Sequence, residues 1–174
     1  MKYLVKFIVV TFFLLNCTYS FAEQKIVILD LKYVLNNSKA GKGAQDFLKK
    51  SFEDNNKKFS DMEKALKKEE NDLLTKKTVL SKEDYTKKTD TLRKKVIDYQ
   101  SQRRAAIDKI AAQRTEYRET LIKETDKILK TYIKENNITL VIEKKGTLGG
   151  NPTNDITSVI VEKLNKEFPK LNLN

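Results

Sequence analysis

Residues 52–85 have the sequence FEDNNKKFSDMEKALKKEENDLLTKKTVLSKEDY, in which an apolar residue recurs at every seventh position. The recurring residues are Phe52, Phe59, Leu66, Leu73 and Leu80. A seven-residue apolar repeat is typical of a helix that packs along one narrow line against another helix. Between residues 49 and 104, 28 of 56 residues are charged, so we expect little of this region to lie in a thick core.

A second apolar line begins after residue 81, which predicts a turn between two helices. Ser81 is a suitable N-cap, and Glu83 and Asp84 favour the positive end of a following helix. Residues 44–145 contain no glycine or proline, so helix can continue on both sides of the turn. We predict antiparallel helices over residues 39–77 and 82–135, with the turn near residues 76–82. One unbroken helical rod is the alternative, because no glycine marks the turn.

We name residues 44–137 the arm and its predicted helix–helix contact the seam. The companion line of the first helix becomes polar at Asn55, Glu69 and Lys76, so we expect a weak contact and a flexible arm. The predicted seam residues are Phe52, Phe59, Leu66, Leu73, Leu80, Tyr85, Leu92 and Tyr99.

The segments 23–43 and 138–174 flank the arm and are predicted to form a small β-rich body. Residues 25–29 and 138–143 have the short β-branched runs of buried strands, and Asp30 can cap a short helix between the first strand and the arm. Residues 144–151 contain three glycines, which predicts a turn that leads to a short third strand around Thr147 and Leu148.

A final amphipathic helix is predicted from about Asn154. The body is too small to bury a comfortable core alone, so we expect oligomerisation to complete it. The apolar residues predicted to build this oligomer are Ile26, Val27, Ile28, Leu29, Leu140, Val141, Ile142, Ile156, Val159 and Ile160.

Residues 1–22 have the layout of a cleaved secretory signal peptide: Lys2 and Lys6, an apolar run, and small residues that end at Ala22. An uncleaved membrane anchor and a lipoprotein with a lipidated Cys17 are the alternatives. Cleavage would remove the only cysteine and leave a mature chain with a net charge of +9. We expect an exported protein that meets acidic or anionic partners, and export argues against nucleic acid as a partner.

The chain has no histidine and no tryptophan, and no cysteine lies beyond Cys17. Histidine bases, cysteine nucleophiles and zinc sites are therefore excluded from the mature chain. We predict no catalytic residues, no cofactor and no metal site, and thus no enzyme. The basic doublets along the arm have two open interpretations: solvation with local ion pairing, or a cationic lining that attracts an anionic client.

Two terminal motifs resemble the Skp/OmpH family of periplasmic chaperones. The first is QKIVILDLKYVL, residues 24–35; the second comprises YIKENNITLVIE, residues 132–143, and NDITSVIVEKL, residues 154–164. The layout of the whole mature chain is similar to this family. The resemblance implies an α+β homotrimer like a jellyfish, in which a long antiparallel, coiled-coil-like hairpin projects from each small β-sheet body.

The same resemblance implies the function: an ATP-independent periplasmic holdase that keeps unfolded outer-membrane proteins in a cavity between the arms. It also implies delivery to the outer-membrane assembly machinery and, in some members, binding of lipopolysaccharide, for which no residue is assigned here. A structural coiled-coil spacer of the cell envelope is the alternative function, and a basic nucleic-acid-associated protein is a further one.

Overall fold

The computed structural model describes residues 24–173, so the predicted signal peptide and Cys17 lie outside the described residues. The described chain is mostly helical, with two long helices and a small two-stranded sheet. Its elements are β1 (Ile26–Leu29), α1 (Leu31–Asn37), α2 (Lys39–Thr75), α3 (Lys82–Glu135), β2 (Leu140–Glu143) and α4 (Thr157–Glu167).

Helices α2 and α3 form the predicted antiparallel hairpin, and the single-rod alternative is wrong. At ~1.5 Å per residue they are about 55 Å and about 80 Å long. Helix α2 ends at Thr75, two residues before the predicted end, and the Leu80 N–H donates to the Lys76 carbonyl in the turn at 3.0 Å. The Ser81 hydroxyl oxygen accepts from the Asp84 N–H at 3.1 Å, which confirms the predicted N-cap of α3.

The body contains a sheet in which β1 and β2 run parallel, with Val27 opposite Val141. Parallel strands need a long crossover connection, and here the whole arm supplies it. Helix α4 packs on the sheet, and the end of α3 contributes Ile128 to the same core. The buried core residues are Val27, Leu29, Val34, Ile128, Ile138, Ile156, Ile160 and Leu164.

The sequence Asp155-Ile156-Thr157 makes four polar contacts: two with β1 and the residue after it, one within the segment, and one with Lys144 after β2. The Ile156 N–H donates to the Ile28 carbonyl at 2.9 Å, and the Thr157 hydroxyl oxygen accepts from the Asp30 N–H at 2.9 Å. Asp155 Oδ1 accepts from the Thr157 N–H at 2.9 Å, and Asp155 Oδ2 accepts from Lys144 Nζ at 2.7 Å. Because of these contacts, the segment Asp155–Thr157 holds the start of α4 at the edge of the sheet.

The predicted third strand around Thr147 and Leu148 is wrong. Lys144–Gly146 form a turn of 3₁₀ helix, and the side chain of Leu148 is fully exposed. After β2 the described part of the chain pairs with the sheet through one isolated bridge, between Ile28 and Asp155. Helix α4 accordingly begins at Thr157, three residues after the predicted start, because Pro152–Asn154 first form another short 3₁₀ turn.

None of the helices within residues 24–173 combines the length and the apolar character that crossing a membrane requires.

Candidate functional site

The seam of the arm consists of a few buried residues flanked by half-buried ones. Phe59 and Leu73 are 6% and 9% exposed, and the ring of Phe59 meets the ring of Tyr99 edge to face at a centroid distance of 6.0 Å. The other predicted seam residues that the structure leaves half-buried are Leu66, Leu80, Tyr85, Leu92 and Tyr99. A line this thin holds the two helices together without a solid core.

Phe52 departs from the predicted seam, because its side chain is 53% exposed. Ser51 is half-buried in its place. A straight α-helix drifts by ~20° per heptad relative to a strict seven-residue repeat. On a straight helix the three heptads from Leu73 to Phe52 would turn the apolar line by about 60°, which accounts for the exposure of Phe52.

The companion line of the seam is polar, as the sequence indicates. Glu69 on α2 accepts from Lys95 Nζ on α3 at 2.7 and 2.8 Å, through both carboxylate oxygens. The Asn55 side chain turns back and donates to the Ser51 carbonyl of its own helix at 2.8 Å. Lys76 lies exposed in the turn. The polar positions thus add one ion pair between the helices.

Several lysines of the arm pair with acids one turn away on the same helix. Lys67 Nζ lies 2.8 Å from Glu63 Oε1, and Lys87 Nζ lies 2.9 Å from Glu83 Oε1. The hydrogen bond and charge of Lys67 lower the pKa of Glu63, and the same contact raises the pKa of Lys67. These pairs are exposed, so they favour the solvation interpretation for the lysines that form them.

Apolar side chains also lie outside the seam, exposed among the charges. Leu74, Val79, Ile97 and Ile107 are 56%, 82%, 57% and 53% exposed. These four residues are not among the predicted site residues. Each is an apolar residue that lies off both heptad lines, and this is the sequence signal that could have found them. The arm therefore presents separate apolar contacts on a charged surface.

The residues predicted for oligomerisation divide between the two faces of the sheet. Side chains alternate along a strand, so Val27, Leu29 and Val141 point to the core. Helix α4 and the residue before it add Ile160 and Ile156 to that core. The residues on the opposite, outer face are Ile26, Ile28, Leu140 and Ile142, of which Leu140 is 51% exposed. Val159 on α4 is also exposed.

No group of three or more acidic side chains within residues 24–173 is arranged to hold a metal ion.

Comparisons with known proteins agree with this architecture. The sequence profile of the family described as "Outer membrane protein (OmpH-like)" matches residues 25–164. A Skp-like protein from Pseudomonas aeruginosa is 25% identical over 166 residues, which cover 95% of this chain and 99% of that protein. A crystal structure from Caulobacter crescentus, of a protein named an OmpH-like outer membrane chaperone, superposes with a TM-score of 0.81. It is 19% identical, covers 88% of this chain and shares the fold.

Proposed function

Because the chain belongs to the OmpH-like outer membrane protein family, we propose that it is a periplasmic chaperone that holds unfolded outer-membrane proteins. The observation that carries this proposal is the arm surface, where exposed apolar side chains such as Val79 and Ile97 alternate with charges. Separate apolar contacts bind many sequences weakly, which a holdase requires. A charged background keeps the empty chaperone in solution.

The proposed working form is a homotrimer. The outer face of the sheet exposes Leu140 and Ile142, and burial of such side chains is favourable by roughly 25 cal/mol per Å² of apolar surface. Three bodies that bury these faces on one another would place three arms around a shared space. An unfolded client would then lie between the arms, surrounded by weak contacts.

The holding cycle needs no ATP in this proposal. Binding and release follow mass action: the client leaves when its own folding into the outer membrane removes the unfolded chain from the equilibrium. Export by a cleaved signal peptide would bring the protein to the periplasm. Delivery to the outer-membrane assembly machinery, and contact with lipopolysaccharide or an anionic membrane surface, belong to the same proposal.

An aggregation assay tests this function directly. A β-barrel client unfolded in urea is diluted into buffer with or without the mature chain, residues 23–174, and turbidity is followed over time. We expect the protein to suppress aggregation at about one trimer per client and without nucleotide. A structural spacer of the envelope would leave the turbidity unchanged, and that result would contradict the holdase.

The exposed apolar side chains supply the matched variant. Replacement of Leu74, Val79, Ile97 and Ile107 by serine leaves the seam and the net charge intact, so the fold should persist. We expect weaker protection by this variant than by the parent protein. Equal protection would assign client binding to another part of the molecule.

A further inference from the structure

A cleft of about 1170 Å³ opens where the arm joins the body. Helix α1, the first turns of α2, the middle of α3 and the chain that follows β2 line it. Its deeper residues are apolar: Leu35 and Leu121 are buried, while Leu48 and Ile110 are half-buried. Phe52, which left the seam, also lines this cleft and remains 53% exposed.

The outer residues of the cleft carry a strong excess of positive charge. The exposed cations are Lys32, Lys42, Lys49, Arg114, Arg118 and Lys145, and the single acid is Glu143. Lys49 has a distant ion pair with Glu53 at 4.0 Å. The other five cations form no ion pair with any acid in the part of the chain that the structure describes, in contrast to Lys67 and Lys87 farther along the arm.

The spacing of these groups fits an extended polypeptide. Gly41 to Phe52 line the cleft along α2 over about 16 Å, the length of about five residues of extended chain. Arg114 and Arg118 lie one helical turn apart, about 6 Å along α3. Alternate side chains of an extended strand project from the same face about 6.7 Å apart. Two acids separated by one residue could therefore reach both arginines.

We propose that this cleft binds a short extended segment of an unfolded client in which apolar and acidic side chains alternate. One row of side chains enters the apolar depth beside Phe52, and the acidic row meets Arg114 and Arg118 at the rim. Strands of membrane β-barrels alternate apolar and polar residues, so a strand whose polar residues are acidic has the pattern that this cleft would bind. The cations are spread over α1, α2, α3 and the segment after β2 instead of surrounding one point, so they suit charges distributed along a chain better than a single head group. The inference rests on the proposed holdase function and adds a defined first contact to it.

Cysteine footprinting tests the location of binding. The mature chain, residues 23–174, has no cysteine, so Phe52→Cys places a single thiol in the cleft, and Val79→Cys places a matched exposed thiol at the tip of the arm. The probe is an eight-residue capped peptide that alternates valine or tyrosine with aspartate. We expect it to slow maleimide labelling of Phe52→Cys and to leave Val79→Cys unaffected. Equal slowing of both thiols, or of neither, overturns the proposal.

Fluorescence anisotropy of the labelled peptide tests whether Arg114 and Arg118 contribute to its affinity. We expect the double variant Arg114→Gln/Arg118→Gln to weaken binding by about fivefold, as expected for two partly exposed ion pairs. Arg103→Gln/Arg104→Gln removes the same charge outside the cleft, and should change affinity less than twofold. A peptide of the same composition with its acids in one block should bind more weakly than the alternating one. If both double variants lose the same affinity for the peptide, the loss reflects net charge alone, and the proposed binding site in the cleft is refuted.

The aggregation assay on the same proteins separates this inference from the proposed function. If the parent protein protects clients but footprinting finds no peptide in the cleft, the proposed peptide site is wrong and the proposed holdase function is supported. If the peptide binds as expected but the parent protein fails to protect any client, the proposed holdase function is wrong, whereas the cleft is still a peptide-binding site.

Discussion

Two glycines at the start of α2 have opposite structural roles. A Cβ atom on Gly41 would overlap the backbone carbonyl of Leu35 at the end of α1, whereas a Cβ atom on Gly43 would meet nothing within 4 Å. Gly41 is buried with Ala40 and Ala44, where α1 approaches the arm. The absence of a side chain at residue 41 therefore sets the distance between the body and the arm.

We expect Gly41→Ala to lower the free energy of unfolding by about 2–4 kcal/mol, because the carbonyl that it meets belongs to the backbone and cannot rotate away. Gly43→Ala is the matched control. It should raise the free energy of unfolding by about 0.5–1 kcal/mol, since alanine is the better residue inside an open helix. Urea denaturation of both variants is the measurement, and a Gly41→Ala protein as stable as the parent would contradict the close approach.

Asp155 gives the body a dependence on acid pH. Burial by itself would raise the pKa of its carboxyl, but hydrogen bonds from Lys144 and Thr157 outweigh this effect and lower the pKa from 3.8 to about 2. A lowered pKa in the folded state stabilises the protein above the unfolded value, and this stabilisation is lost as the pH falls from about 4 towards 2.

Asp155→Asn should therefore reduce the free energy of unfolding by about 1 kcal/mol at pH 6, which is modest because the ion pair with Lys144 is partly exposed. The difference between variant and parent should shrink as the pH falls from about 4 to 2, where the carboxyl of Asp155 is about half protonated in the folded parent. Urea denaturation at both pH values measures it. A difference that stays constant with pH would assign the effect to packing instead of charge.

At the scale of elements, the arm and the body differ in how they bury apolar surface. The core of the body contains eight buried residues. They come from β1, α1, α3 and α4 and from the residues just before β2 and just before α4. The seam between Phe59 and Leu73 buries only these two apolar side chains almost completely. We therefore expect the body to fold and associate without the outer arm, which we define as residues 55–103.

Replacement of residues 55–103 by a short Gly-Ser turn tests this division. The shortened chain keeps the T-shaped contact of Phe47 with Tyr117 at 6.2 Å and all core residues of the body. We expect it to remain folded by circular dichroism and oligomeric by light scattering, and to lose protection of an unfolded β-barrel client. Protection equal to that of the full-length protein would show that the outer arm is not the working part.

The long helices and the capped turn were predictable because they depend on local signals. The heptad line and the Ser81 cap act within a few residues, and both helices begin at the residues that the sequence predicts. The third strand failed for the opposite reason: whether Thr147 and Leu148 pair with the sheet depends on the distant Ile28, which bridges Asp155 instead. The cleft could not be predicted from the sequence either, because its lining residues on α1, α2 and α3 come together only in the folded chain.

At the scale of the whole molecule, the outer face of the sheet distinguishes a monomer from an oligomer. We expect the mature chain to scatter light as a trimer, and Leu140→Asp to dissociate it, because an unpaired charge is costly to bury in an interface. Leu140 is 51% exposed in the single chain, so the dissociated variant should keep its helical circular dichroism. Leu148→Asp is the control and should remain trimeric. A trimeric Leu140→Asp protein would place the interface elsewhere.

The parallel pairing of β1 with β2 joins segments from near the two ends of the chain, Val27 with Val141. Distant pairings are slow to form, whereas the contacts of a helical hairpin can form as soon as its turn exists. We therefore expect the sheet to close last, with amides of β2 gaining protection in pulsed hydrogen exchange after those of α3; simultaneous protection would contradict this order. A chain translocated from its N-terminus would thus spend its passage with β1 unpaired. The proposed chaperone would therefore itself remain incompletely folded during export, until β2 had crossed the membrane and could pair with β1.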